Sequence, residues 1–412
     1  MVKLHFLENR TNTGYVTWGV PWKKGEINEK NAFELKNSKG EKIAIQTKVN
    51  AYWPDGSYKW TAHTANCTEN CEYTLEAIDK SQETVTEGIS VTEDEYCFYV
   101  NAGRTEAIFD KKGKNIIRNL VIDGRQIVAK GELKCIIEQR QQKEDILIKR
   151  EISCTSEISK VSIEDTGALK TVIKIEGIHK NKNIDRENLP FIVRFIIHNE
   201  ENYVQIMHTF ICDIEPQKDF IKAIGIEFEC PMAGEMYNRH FKTKGDYGYF
   251  HEAMQLMSSW RPRIDEAIYR QQLNGEFLNL DKEKDSLIFK AIEGMVTWDS
   301  YKLYQDSPSH FLIKKSTGKE NCAYIDAIHG QRSNGIVYVA GEKCGIALGM
   351  KDFWQKYPSS IWVEGISKKT AKITAWIWSP ESEALDMRHY DDKGHAMTCY
   401  EGFDEEIGRA HV

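Results

Sequence analysis

Apolar and polar residues alternate with period two in one stretch of the chain after another. Phe191, Val193, Phe195 and Ile197 alternate with Ile192, Arg194, Ile196 and His198, and the polar turn Asn199-Glu200-Glu201-Asn202 follows. Val204, Ile206, His208 and Phe210 then share one face of a second run, so the pair predicts a β-hairpin. Ile224, Ile226 and Phe228 read as a half-buried strand, as do Gly335 to Ala340, Gly345 to Met350 and Lys372 to Ser379. Near the N-terminus Lys42 to Val49 alternates in part. Trp53-Pro54-Asp55-Gly56-Ser57 then supplies turn chemistry before Tyr58-Lys59-Trp60. One segment breaks the pattern. Pro262 to Leu273, closed by Asn274-Gly275, carries Ile264, Ala267 and Ile268 at helical spacing and predicts a short helix within an insertion.

Many strands with few helical stretches between them give a mainly β fold class. The expectation is a small N-terminal barrel, too short for a sandwich, followed by a large antiparallel β-sandwich. Glu83 to Asp94 is polar and charge-rich and reads as the linker between them. A chain of 412 residues is long for one core, which agrees with at least two domains.

Composition narrows the function by exclusion. Hydrophobic residues make up 41% and charged residues 28%, an ordinary globular balance. A net charge of -7 without a basic run disfavours nucleic acid as a partner. No stretch approaches the ~20 apolar residues of a membrane span, and the first residues lack the apolar core of a signal peptide. The ten cysteines form no repeated C-x-x-C pattern, so reduced thiols and a cytoplasmic location are expected, with no membrane partner. No phosphate loop, G-x-S-x-G elbow, H-E-x-x-H motif or EF-hand is present.

Three clusters carry candidate chemistry. Four of the ten tryptophans lie among Tyr15 to Trp22, Trp53 and Trp60, near Gln46-Thr47. They suit a sugar platform, although large aromatics also fill the thin core of a small barrel, the reading we favour. The second cluster runs from Tyr237-Asn238-Arg239-His240 through Asp246, His251-Glu252 and Gln255 to Trp260, Arg261 and Arg263. Arginines and histidines gathered after Pro231-Met232-Ala233-Gly234 suggest a displayed loop. The third is Gln305-Asp306-Ser307-Pro308-Ser309-His310-Phe311 with Asp326 to Ser333. There Asp306 and Ser309 suit turn stabilisation, while His329 and Arg332 resemble site groups. Asp386-Met387-Arg388-His389-Tyr390 and His395 add a further polar group.

Taken together these phrases resemble the exo-acting rhamnogalacturonan lyases of polysaccharide lyase family 26. Thr17-Trp18-Gly19-Val20-Pro21, Gln46-Thr47 and Tyr52 to Trp60 look like the family's opening. Tyr237 to His240, Gln305-Asp306-Ser307, Ser309-His310-Phe311, His329-Gly330, Arg332-Ser333, Phe353-Trp354, Tyr357-Pro358, Trp376 to Pro380 and Arg388-His389-Tyr390 continue it. The resemblance implies a RIFT-type barrel over residues 1–85, a central sandwich over 90–385 and the start of an α/α toroid over 386–412. Glu406 to Val412 also reads as translated sequencing adapter, so native sequence is expected to end near Asp404 or Glu405. The rest of the toroid is then missing, and this chain is expected to be inactive alone.

The implied reaction is β-elimination at a galacturonic acid residue of a pectin-type, uronic-acid-containing oligosaccharide. It requires a cation or strong donors for the charge developing on the carboxylate, a base, and an acid for the departing oxygen. Residue chemistry on the matched motifs nominates His240 as base, Arg239, Arg332 or Arg388 as carboxylate-holding cation, and Tyr237 or its neighbour Asn238 as acid or donor. Asn238, Arg261, His329, Arg332, Arg388 and His389 are expected on substrate. No cofactor is implied, although a divalent cation such as calcium stays open. Two alternatives stand beside the lyase: a non-catalytic sugar-binding scaffold, and a glycoside hydrolase, which needs paired carboxylates.

Overall fold

A computed structural model describes residues 1–7, 14–68, 70–82, 88–181, 186–257, 265–320 and 322–388. The candidates Arg261 and His389, with Trp260, Arg263 and residues 406–412, lie outside them. The described residues are almost entirely β-stranded, and none of their helices is long and apolar enough to cross a membrane. The chain forms two compact units. One comprises residues 1–111, 161–175 and 192–208, and the other 112–160, 176–191 and the chain from 209 onward.

The first unit opens with a small barrel. Strands Gly14–Pro21, Tyr58–Cys67 and Ile45–Tyr52 form one antiparallel sheet, and Val2–Leu4, Tyr73–Asp79, Asn31–Asn37 and Lys42–Ile43 form another. The expected hairpin turns at Trp53-Pro54-Asp55-Gly56: Gly56 adopts φ +83°, and Asp55 Oδ1 accepts from the Ser57 amide at 3.1 Å. Trp22, Val20, Phe33, Leu35 and Leu75 fill the interior. Trp22 donates to Thr61 Oγ1 at 2.7 Å, Thr61 meets His63 Nε2 at 2.7 Å, and His63 Nδ1 meets Thr47 Oγ1 at 2.9 Å. Trp22 and Trp18 are therefore barrel packing, whereas Trp60 stays exposed across Gly19, where a Cβ would lie 2.5 Å from its indole nitrogen.

One expectation needs correction. Ser90–Glu93, inside the proposed linker, is a strand paired with Cys97–Asn101. It is an edge strand whose one charged residue, the exposed Glu93, pairs with Lys111 at 2.6 Å, and its polar composition imitates a loop. The insertion's helix is Glu266–Leu273, where the Asp265 carboxylate accepts from the Ala267 amide as N-cap, and Pro262 to Ile264 of the expected helix lie outside the described residues. A second short helix, Ser286–Ile292, was not anticipated.

The second unit is a large antiparallel sandwich. Across its main sheet run Ile146–Asp165 (its first half), Lys130–Lys143, Asp219–Pro231, Thr370–Trp378, Ser359–Glu364, Ser300–Ser307, His310–Ser316 and Ile325–Gly330. Tyr249–Ala253, His240–Lys244, Ile336–Ala340 and Gly345–Gly349 make a second sheet. Phe241 of this sheet stacks on Tyr301 of the first at 4.1 Å and 8°, so two fully buried rings join the layers. Burying each ring is worth about 2–3 kcal/mol.

Candidate functional site

The loop at Tyr237 to His240 turns inward. Tyr237 packs with Met257, Leu278 and Ile292 and edge-on to Phe289, and burial pushes its hydroxyl pKa upward. Asn238 donates to Leu278 O at 2.9 Å and to Glu342 Oε1 at 2.7 Å, while its own Oδ1 accepts from the Leu278 amide. Arg239 is 6% exposed and donates to the carbonyls of Gly234, Ile366 and Lys368 at 3.1, 2.6 and 2.6 Å. This geometry makes Arg239 a tie between segments of chain and leaves Asn238 committed to the Leu278 backbone and the Glu342 carboxylate.

His240 is buried too. Its Nδ1 lies 2.9 Å from His251 Nε2, and its Nε2 is buried with no hydrogen-bond partner. Burial, with a smaller contribution from His251, pushes its pKa down to about 4. Such an imidazole is neutral near pH 7 but weakly basic. Beside it Glu252 accepts from Tyr301 at 2.8 Å and from Lys315 at 2.6 Å, so that carboxylate is fully engaged.

Burial likewise pushes His63, His198 and His208 down to about 4. Their folded pKa values lie below the ordinary 6.5, so between pH 6.5 and 4 the unfolded chain binds protons that the folded chain refuses. The stabilisation is complete above pH 6.5 and is lost as pH falls toward 4, by roughly 2–3 kcal/mol per histidine at most. Urea midpoints should therefore drop steeply between pH 7 and 4.5. A flat profile would mean that these imidazoles are hydrated in solution.

The third cluster has the opposite character. Strands Ser300–Ser307 and His310–Ser316 join through a tight turn, with Gln305 paired to Phe311 and Ser307 to His310. Gln305 is fully buried: its amide donates to Ser307 O, His310 O and Gln331 O at 2.8, 3.0 and 2.8 Å, and Oε1 accepts from the Ser333 amide. Asp246 accepts from the amides of Gln331 and Arg332. Gly330 is required between them, because a Cβ there would lie 2.6 Å from Phe311 and 2.7 Å from Asp246 Oδ2. These buried bonds fix two loops side by side.

Chemistry-bearing groups stand outward on that base. The Asp306 carboxylate lies 2.8 Å from His310 Nδ1. An Nδ1–H donated to it leaves Nε2 with its lone pair outward, the arrangement of an oriented base. The His329 ring lies 6.0 Å from that of His310. Arg332 donates Nε to Pro308 O at 3.2 Å and lays its guanidinium 4.3 Å from the Trp354 ring, keeping its terminal nitrogens on an exposed side chain.

The expected site residues thus divide. Tyr237, Asn238, Arg239 and His240 gather in one buried segment, His329 stands beside His310 and Arg332 bonds to Pro308 of the same turn, and Arg388 pairs with Asp386, whose carboxyl it holds down at about 2. Sequence reasoning placed Gln305 and His310 in the third cluster without giving either a role, named Trp354 only within the resemblance, and read Asp306 as suited to turn stabilisation. The four-residue spacing of Asp306 and His310 around Ser307-Pro308 was the available signal. Among the described residues no group of three or more His, Cys, Asp or Glu side chains stands ready to hold a metal ion.

Comparison with known proteins agrees with the two-part architecture. Residues 1–80 match the PcRGLX-like N-terminal RIFT barrel domain, and residues 89–411 match the PcRGLX-like protein central beta sandwich domain. YetA, an uncharacterized protein of Bacillus subtilis (strain 168), is 36% identical over 408 residues, which are 98% of this chain and 47% of that protein. The chain therefore spans about half the length of this curated relative. With matched domain families along nearly its whole length, the chain belongs to the PcRGLX-like family.

Proposed function

We propose that this chain forms the barrel and sandwich of a rhamnogalacturonan lyase-like enzyme that cleaves at galacturonic acid by β-elimination. A further domain of the whole protein would complete the cleft. The observation that carries the reading is the exposed set of Asp306, His310, His329 and Arg332 on a sandwich of this family. In the proposed reaction Arg332 holds the uronate carboxylate, where its fixed charge stabilises the enolate-like transition state. His310 Nε2 removes the proton beside that carboxylate, and Asp306 steadies the imidazolium that forms. His329, whose ring lies 6.0 Å from that of His310, gives a proton to the departing oxygen in this scheme. The cluster pairs one cation and two imidazoles with a single surface carboxylate, which suits elimination better than hydrolysis by two opposed carboxylates.

Rhamnogalacturonan oligosaccharides incubated with the full-length protein should yield an unsaturated uronate, followed by its ultraviolet absorbance. No absorbance with any uronate oligosaccharide would end the lyase reading.

A further inference from the structure

The first unit contains a pocket that the elimination chemistry does not use. It lies between Gly14–Pro21 and the ends of three further strands, and is lined by Tyr15, Thr17, Lys170, Ile196, His198 and Gln205. All of these residues belong to the first unit, whereas the Asp306 to Arg332 cluster belongs to the second.

The pocket is built from beneath. Gln46, one of the phrases noted in the sequence, accepts through Oε1 from the amides of Leu169 and Lys170 at 2.9 and 2.8 Å. Its Nε2 donates to Lys170 O at 3.0 Å and to Asp165 Oδ1 at 3.2 Å. One amide side chain thereby fixes the backbone of Lys170. The Lys170 ammonium reaches Asp165 Oδ2 at 3.1 Å and Thr17 Oγ1 at 3.5 Å. His198 is 4% exposed and stacks on Tyr15 at 4.7 Å and 18°, with Tyr203 at 6.2 Å.

One atom is unaccounted for: His198 Nδ1 is buried without a hydrogen-bond partner. A buried polar atom left unpaired is costly, and a ligand group is a ready way to satisfy it. The local charge indicates which ligand. Asp165 offsets Lys170, and the carboxylates of Glu201 and Glu200 stand close enough to raise the Tyr15 pKa beyond the effect of burial. An anion would meet net negative surroundings. A hydroxyl, which both donates and accepts, suits the ammonium, imidazole, amide and Thr17 hydroxyl alike. Ile196 and the Tyr15 edge offer apolar contact to a C–H face.

We propose that this pocket binds the ring of a neutral monosaccharide, its hydroxyls meeting His198 Nδ1, Thr17 Oγ1, the Lys170 ammonium and the Gln205 amide. The site holds the neutral part of an oligosaccharide without acting on it, and its existence does not depend on elimination occurring.

The test is saturation-transfer NMR on the full chain with L-rhamnose, D-galactose and D-galacturonate at millimolar concentration. The neutral sugars should show transfer and galacturonate little. Gln205→Ala alters an exposed residue and should weaken neutral-sugar binding at least about tenfold, or about 1.4 kcal/mol. His198→Phe keeps the stack on Tyr15 and should do the same with an unchanged melting curve. Arg332→Ala should leave this binding intact. Absence of transfer from every neutral sugar, tighter binding of galacturonate, or full binding by the folded Gln205→Ala and His198→Phe variants would each overturn the proposal. Loss of elimination with neutral-sugar binding retained would instead count against the lyase reading alone.

Discussion

Arg239→Met should destabilise the larger unit by about 3–5 kcal/mol and leave much of the variant unfolded near body temperature. The guanidinium serves the carbonyls of Gly234, Ile366 and Lys368 from a position that is 6% exposed. Its removal strands three acceptors at once, each costing about 1–3 kcal/mol when left unpaired. Arg239→Lys should recover little, because a single ammonium on a flexible stem cannot reproduce the planar fork that spans them. Chemical denaturation of parent and variants reads the effect directly. A variant that melts like the parent and loses only affinity for a uronate would return Arg239 to the substrate.

His310→Ala, made in the full-length protein, should lower kcat for uronate elimination by about 10²–10⁴-fold with little change in melting temperature. The side chain is 43% exposed and its contacts are to the exposed Asp306 carboxylate and the His329 ring, so its loss removes a base with little cost to the fold. His240→Ala should behave the opposite way. That ring is buried against His251, with a pKa of about 4, so its removal should cost stability more than rate. Measuring kcat and melting for both variants separates the two histidines. If His240→Ala stops turnover while melting normally and His310→Ala does not, the base is His240 and the sequence-based choice was right.

The fold was largely legible because burial follows period two. Phe191, Val193, Phe195 and Ile197 are all buried, as their alternation required. Ile224, Ile226 and Phe228 are buried likewise, in a strand longer at both ends than the apolar pattern alone marks out. Ser90–Glu93 escaped because four mostly polar residues at a sheet edge show no alternation, and Ser286–Ile292 because seven residues give too few turns for a helical period to show.

The site was harder to read for a different reason. A charged residue in a loop suggests display, yet whether a guanidinium meets water or carbonyls depends on chain far away in sequence. Arg332 stayed outward on Trp354, while Arg239 was drawn in by Ile366 and Lys368. Nothing near either arginine in the sequence separates these two fates. His310 depended on Gln305, which reads as an ordinary strand residue until its bonds to Ser307, His310 and Gln331 are seen.

The seat of Arg239 also has a consequence in time. Ile366 lies 127 residues beyond it, and Lys368 lies 129 beyond. At roughly 5–20 residues per second a ribosome needs about 6 to 25 seconds to add that stretch. Throughout this interval a guanidinium destined for the interior has its final acceptors still unmade. The nascent sandwich must keep that corner open to water until its last strands arrive, and closing it is among the final acts of the unit's synthesis.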